Sequence, residues 1–167
     1  MGDATTNVSD IVFFLPIGET SPHAILANGY HVVFTDMEQT YYSVEQYMMY
    51  KKASLFPENE EIMTEILKTT EYESIKSLGR RVKNFDGAIW DRVAKKIVNT
   101  GCTLKFEQNS DLTSHLLSTG DLVLAQVSQD SKWSIGSNVP VSTWSGENLC
   151  GEILKDIRCE FWRNMLL

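Results

Sequence analysis

Cysteine is scarce in this 167-residue chain: Cys102, Cys150 and Cys159 make an odd count with no Cys-x-x-Cys spacing. That suits neither a disulfide framework nor a zinc site, so reduced cytoplasm, or the nucleus, is the expected setting. Long apolar runs are missing as well. Ile11 to Ile17 falls far short of the roughly 18 residues that a membrane helix needs, and no membrane partner is expected. The opening "MGDATTNVSD" lacks the basic and apolar regions of a secretory signal. Gly2 and Thr6 meet the loose myristoylation pattern, without a polybasic stretch behind them. The histidines, His23, His31 and His115, are scattered, show no metal or triad spacing, and read as ordinary surface or core residues.

Positive charge is in deficit overall. The net charge of −7 argues against a broad electrostatic grip on nucleic acid. The deficit is uneven, because Lys76 to Lys105 carries +6 and the remainder −13. Such a basic segment can hold a small phosphorylated ligand on an acidic protein, or it can be a solvated helical face.

No repeat, low-complexity segment or linker divides the chain. The expectation is a single domain spanning 1–167, of class α+β, mostly helical with a small antiparallel sheet. "DIVFFLPI" (10–17) and "GYHVVFTD" (29–36) read as strands. In "SVEQYMMYKKA" (43–53), Ser43 caps a helix and Gln46 completes a capping box; the helix runs to Leu55 before Pro57. Asn59 can cap the next, and a short one through Ile75 and Leu78 would end at Gly79. Asp86 opens a helix striped by Ile89, Trp90, Val93, Ala94, Ile97 and Val98, with Gly101 as its stop. Residues 104–117 should be helical with a break near Asn109 and Ser110, ending at Gly120. "DLVLAQVS" (121–128) and "KWSIG" (132–136) read as paired strands. Leu149, Ile153, Leu154, Ile157 and Phe161 mark a final helix.

Some polar residues have no evident structural purpose. Glu45, Met48, Met49, Lys52 and Phe56 share one side of their helix. Glu45 can simply favour the helix dipole while Lys52 snorkels, or it can be a carboxylate tuned by burial for acid–base work. Lys105, between Leu104 and Phe106, is either an exposed helix lysine or a desolvated amine nucleophile. Asp130 and Trp133 fall in a loop, where a turn aspartate and a packed tryptophan are the plain accounts. Asn28, Trp90, Asn109, Trp133 and Trp144 could serve a nucleotide, or cap and pack.

The order of motifs resembles the NADAR (NAD- and ADP-ribose-associated) family. The matching pieces are "LANGY" (26–30), "YYSVEQYMMYKKASLF" (41–56), "KSLGRRVKNFDGAIW" (76–90), "LKFEQNSDLTSHLLSTGDLVLAQVSQDSKWSIG" (104–136) and "WSGENLCGEILKDIR" (144–158). Together they cover a core of about 26–158. Departures touch substrate preference: "LANGY" keeps Asn28 but loses a serine and an aromatic. Lys51 stands at a common glutamine position, Gln126 at an acid, Gln129 at a proline and Ser134 at a glycine. The resemblance implies an N-glycosidic bond hydrolase that removes ADP-ribose from modified guanine in DNA, RNA or a free nucleotide, a repair-type activity. Alternatives are an N-glycosidase for phosphorylated riboflavin intermediates and a non-catalytic ADP-ribose-binding module. It implies Glu45, Lys105 and Asp130 as catalytic residues. Asn28, Lys52, Arg80, Trp90, Asn109, Trp133 and Gly136 would contact the ligand. No cofactor and no metal are implied, and oligomeric state is left open.

Overall fold

The computed structural model describes residues 7–17, 21–137 and 143–167. Gly2 and Thr6 lie outside them. The chain divides into two compact units, one of Met1–Ala27 with Ser114–Leu167 and one of Asn28–Thr113. Among the described residues it is mostly helical, with six α-helices and two small strand pairs.

β1 (Ile11–Phe14) belongs to the other unit; in the Asn28–Thr113 unit, β2 (Phe34–Asp36) and β3 (Gln39–Tyr41) form the expected small antiparallel pair, with Phe34 opposite Tyr41. The strand foreseen over 29–36 is confined to its last three residues. Phe34, Tyr41 and Tyr47 then build an aromatic cluster, with ring centroids 5.0–5.9 Å apart. Tyr47 belongs to α1 (Val44–Ser54), which Ser43 opens by accepting the Gln46 N–H at 3.0 Å. The reciprocal half of the capping box is displaced: Gln46 Oε1 accepts from Tyr42 N, not Ser43 N. The Gln46 amide instead donates to Ile66 O and Thr69 O at the end of α2 (Glu60–Lys68).

Asn59 precedes α2 but does not cap it with its side chain. Its amide is spent on Phe56 O, Pro57 O and both backbone groups of Lys83, pinning two loops together. α3 (Tyr72–Arg80) runs through Gly79, whose missing Cβ leaves room for the Met49 side chain. α4 (Gly87–Glu107) opens on Asp86, whose Oδ1 accepts from Ala88 N and Ile89 N.

Gly101 does not stop α4. It is buried mid-helix where α1 crosses, and a Cβ there would stand 2.8 Å from Tyr47 Cδ1 and 3.3 Å from Val44 Cγ1. Close approach, not chain reversal, is why glycine occupies the position. Gly101→Ala should therefore destabilise by about 1–3 kcal/mol through overpacking, although alanine is the better helix former by roughly 1 kcal/mol. Urea denaturation measures this; a gain in stability would contradict the packing explanation. The break foreseen near Asn109 is present, since α5 (Ser110–Ser118) follows α4 directly. Gly120, at φ +52°, follows it in the left-handed region that favours glycine.

In the other unit, β1 (Ile11–Phe14) pairs with β4 (Val123–Gln126) in parallel, Ile11 opposite Val123 and Phe14 opposite Gln126. This corrects the expected antiparallel pairing of 121–128 with 132–136. The latter residues are not a strand: Asp130 Oδ1 accepts from both Lys132 N and Trp133 N at 2.8 Å, curling the backbone. One strand-like bond survives, from Ile135 N to Gln126 O. The side chain of Asn148 acts as a surrogate strand, accepting from Gln126 N and donating to Leu124 O. α6 (Leu149–Met165) follows, burying Ile153, Leu154 and Ile157.

His23 and His115 are not isolated. His23 Nδ1 and His115 Nε2 lie 3.2 Å apart and share a hydrogen bond whose direction depends on the tautomer. Burial first, and then the charge of His23, holds His115 below its ordinary value of 6.5. The unfolded chain therefore takes up the proton more readily, so stability falls as pH drops from 6.5 through the lowered folded value. His115→Gln should flatten the stability profile below pH 6.5. Thermal melts across that range check it, and an unchanged slope would assign acid sensitivity elsewhere.

Candidate active site

Two of the sequence-derived residues, Glu45 and Lys105, lie on helices tied to a third, Asn28. The Glu45 backbone N–H donates to Asn28 O at 2.9 Å, fixing the first turn of α1 against the "LANGY" segment. Asn28 Oδ1 accepts from the Cys102 thiol at 3.5 Å. Cys102 lies one turn before Lys105 on α4, close enough for the Lys105 charge to act on the thiol. Burial nevertheless pushes Cys102 up to about 11, so it is a neutral donor at physiological pH. Glu45 is 8% exposed, Asn28 7% and Lys105 1%. Burial of two ionisable side chains is uncommon and is the first sign that this region is more than scaffold.

Lys105 Nζ lies 5.5 Å from the Tyr30 ring centroid and 5.2 Å from that of Phe106. Such cation–π placement favours an ammonium at a buried position. It is not the exposed helix lysine that the sequence also allowed.

Lys52 forms the second group. Its Nζ donates to Gly79 O at 2.8 Å and sits 4.4 Å from the Phe85 ring and 5.9 Å from Trp90. Burial lowers its pKa, the neighbouring Arg80 charge lowers it further, and Glu45 acts in the opposite sense. Glu45 thus lies in the field of Lys52 as well as beside Asn28. Arg80, the last residue of α3, is exposed. Trp90 is buried in the first turns of α4.

Asn109 is largely committed to structure. Its Nδ2 donates to Val33 O and Lys105 O, leaving its carbonyl oxygen as the group to offer a ligand. Asp130, Trp133 and Gly136 belong to the other unit. Asp130 is exposed and holds the turn after β4, Trp133 is half-buried, and Gly136 is buried with φ +93°. Gln126 is 4% exposed and donates through Nε2 to Ser134 Oγ at 2.7 Å.

Sequence reasoning passed over three neighbours of this region: Tyr30, Phe85 and Cys102. Two signals were available. Cys102 precedes Lys105 by one helical turn, and Phe85 and Trp90 occupy the positions either side of the Asp86 cap that commonly frame a helix start. Among the described residues, no three His, Cys, Asp or Glu side chains gather so as to hold a metal ion.

The NADAR domain profile matches residues 14–162. The chain belongs to the NADAR family. This NADAR protein is similar to N-glycosidase R617 of Acanthamoeba polyphaga mimivirus, with 42% identity over 127 residues, 72% of this chain and 74% of that one. It is also similar to Protein irg-1 of Caenorhabditis elegans, 33% identical over 127 residues, 71% of this chain and 59% of that protein. The NMR structure of the Escherichia coli protein YbiA superposes with a TM-score of 0.77 at 21% identity, covering 93% of this chain and 87% of that one. That likeness establishes the NADAR fold. No helix among the described residues is long and apolar enough to cross a membrane.

Proposed function

We infer that this protein is a glycosyl hydrolase of the N-glycosidase type, and we propose that its substrate is ADP-ribosylated guanine in DNA, RNA or a nucleotide. Family membership and the relative named as an N-glycosidase support the hydrolase class. The substrate rests on the resemblance of the motifs and on the local chemistry. The observation that carries it is the placement of a buried carboxylate, Glu45, and a buried amine, Lys105, on two helices tied to the same residue, Asn28.

Cleaving the bond from ribose C1″ to a base nitrogen passes through an oxocarbenium-like state. Glu45 delivers a proton to the departing nitrogen and, as a carboxylate, stabilises the positive charge left on the sugar. The Lys105 amine adds to C1″ and gives up a proton. Opening of the ring then leaves a protonated imine, which water hydrolyses to release the sugar and regenerate the amine. Lys52 and Arg80 bind the phosphates, and Asn28 and the Asn109 carbonyl bond the sugar or base. Trp90 forms an apolar wall. The resemblance gives Asp130, Trp133 and Gly136 parts in catalysis and ligand contact; within their own unit Asp130 holds the turn after β4.

Incubation with ADP-ribosylated guanosine and, separately, with a phosphorylated riboflavin precursor tests this reading. Release of guanosine and ADP-ribose from the first is expected. Turnover of the second alone would make the riboflavin-type reaction correct, and binding without release from either would make the protein a reader.

A further inference from the structure

Arg158, on α6, is the one buried charge among the described residues of its unit, at 5% exposure. Buried guanidinium groups are ordinarily paired with carboxylates, because desolvation is otherwise uncompensated. Arg158 makes no ion pair with a described residue. Its two hydrogen bonds, to Thr119 Oγ1 at 2.7 Å and Leu122 O at 3.0 Å, both leave from Nη1. Nε and Nη2 have no acceptor among the described residues, yet neither is sealed from solvent. These two donors form the parallel edge that suits an oxyanion.

A cavity of about 210 Å³ lies at Arg158, lined also by Asp121, Leu122, Glu152, Lys155 and Cys159. Three features of it limit the ligand. Its volume is below the roughly 300–1,000 Å³ typical of sites for drug-sized molecules, which points to a small compound and excludes a nucleotide. Lys155 is already paired with Glu152 at 3.4 Å, so Arg158 is the cation left to be matched. Asp121 contributes a negative field at Arg158, which disfavours a dianion relative to a monoanion.

We propose that this cavity binds the carboxylate of a small organic acid through the Nε–Nη2 edge of Arg158. None of its lining residues has a part in the glycosidase chemistry above, so the site is independent of that reading.

Cys159 supplies the reporter. It lines the cavity and is exposed, whereas Cys102 and Cys150 are buried. The experiment follows alkylation of Cys159 in the full chain by the neutral reagent iodoacetamide, with propionate replacing chloride at constant ionic strength. Saturable protection is expected, about elevenfold at ten times the dissociation constant. Arg158→Lys keeps a donor for Thr119 and Leu122 but loses the fork, and should abolish protection. Asp121→Asn, at an exposed position, should tighten binding by up to about fivefold and serves where the first variant fails to fold. Absence of saturable protection, equal protection in Arg158→Lys, or protection by inorganic phosphate alone would overturn the proposal.

Discussion

Glu45→Gln should lower kcat on ADP-ribosylated guanosine by roughly 10²–10⁴-fold, the range for removal of a general acid–base group, while leaving the melting curve nearly in place. Glutamine preserves the shape of the side chain and keeps its backbone bond to Asn28, which depends only on the main chain. What goes is the charge and the proton. A first-turn acid acting only on the helix dipole is worth about 0.3–1 kcal/mol and would show as a small loss of stability with normal turnover. Steady-state kinetics beside thermal melts separate the two. The variant carries a second consequence. Since Glu45 is the neighbour that raises the Lys52 pKa, its loss should let burial and Arg80 depress Lys52 further. Lys52 would then lose its charge at lower pH. The KM of the variant should start to rise at a lower pH than that of the parent, because a neutral Lys52 no longer attracts phosphate. Near-normal kcat in Glu45→Gln would remove the carboxylate from the chemistry altogether.

Lys105 gives the other large effect. Single-turnover reaction with borohydride should trap an ADP-ribosyl adduct on the parent protein and none on Lys105→Met or Lys105→Arg. The pair of variants is chosen for packing. Lys105 is 1% exposed beneath Tyr30 and Phe106, so truncation to alanine would leave a cavity costing about 2–5 kcal/mol. Methionine fills most of the volume, and arginine keeps the cation without an amine able to form an imine. Turnover should fall by at least about a thousandfold in both, in keeping with losses seen when a nucleophile is removed. An adduct of equal yield in Lys105→Arg would place the covalent step on a different residue.

Most helix starts were legible in the sequence, because caps act within one turn. Ser43 and Asp86 begin α1 and α4 as read, and the chain breaks after Glu107 close to where Asn109 and Ser110 suggested. Periodicity was less informative at α1. Its buried residues include Val44 to Met49 in unbroken succession, so no face stands out and the side carrying Glu45 could not be distinguished. Glycine signals were ambiguous for a related reason. Gly101 read as a helix stop but is a contact point between helices, whereas Gly79, one residue before α3 ends, is both, so one residue type serves both purposes.

The sequence by itself determined the helical composition, the caps of α1 and α4, and the order of motifs that marks the NADAR family. Tertiary structure alone decided that β4 pairs in parallel with β1, that Lys105 is buried, and that Asn28 meets Cys102 across 74 residues of chain. The physical reason is range. A cap or an apolar stripe is settled by residues a turn or two apart, whereas burial of a charge and choice of a strand partner are settled by segments that only folding brings together.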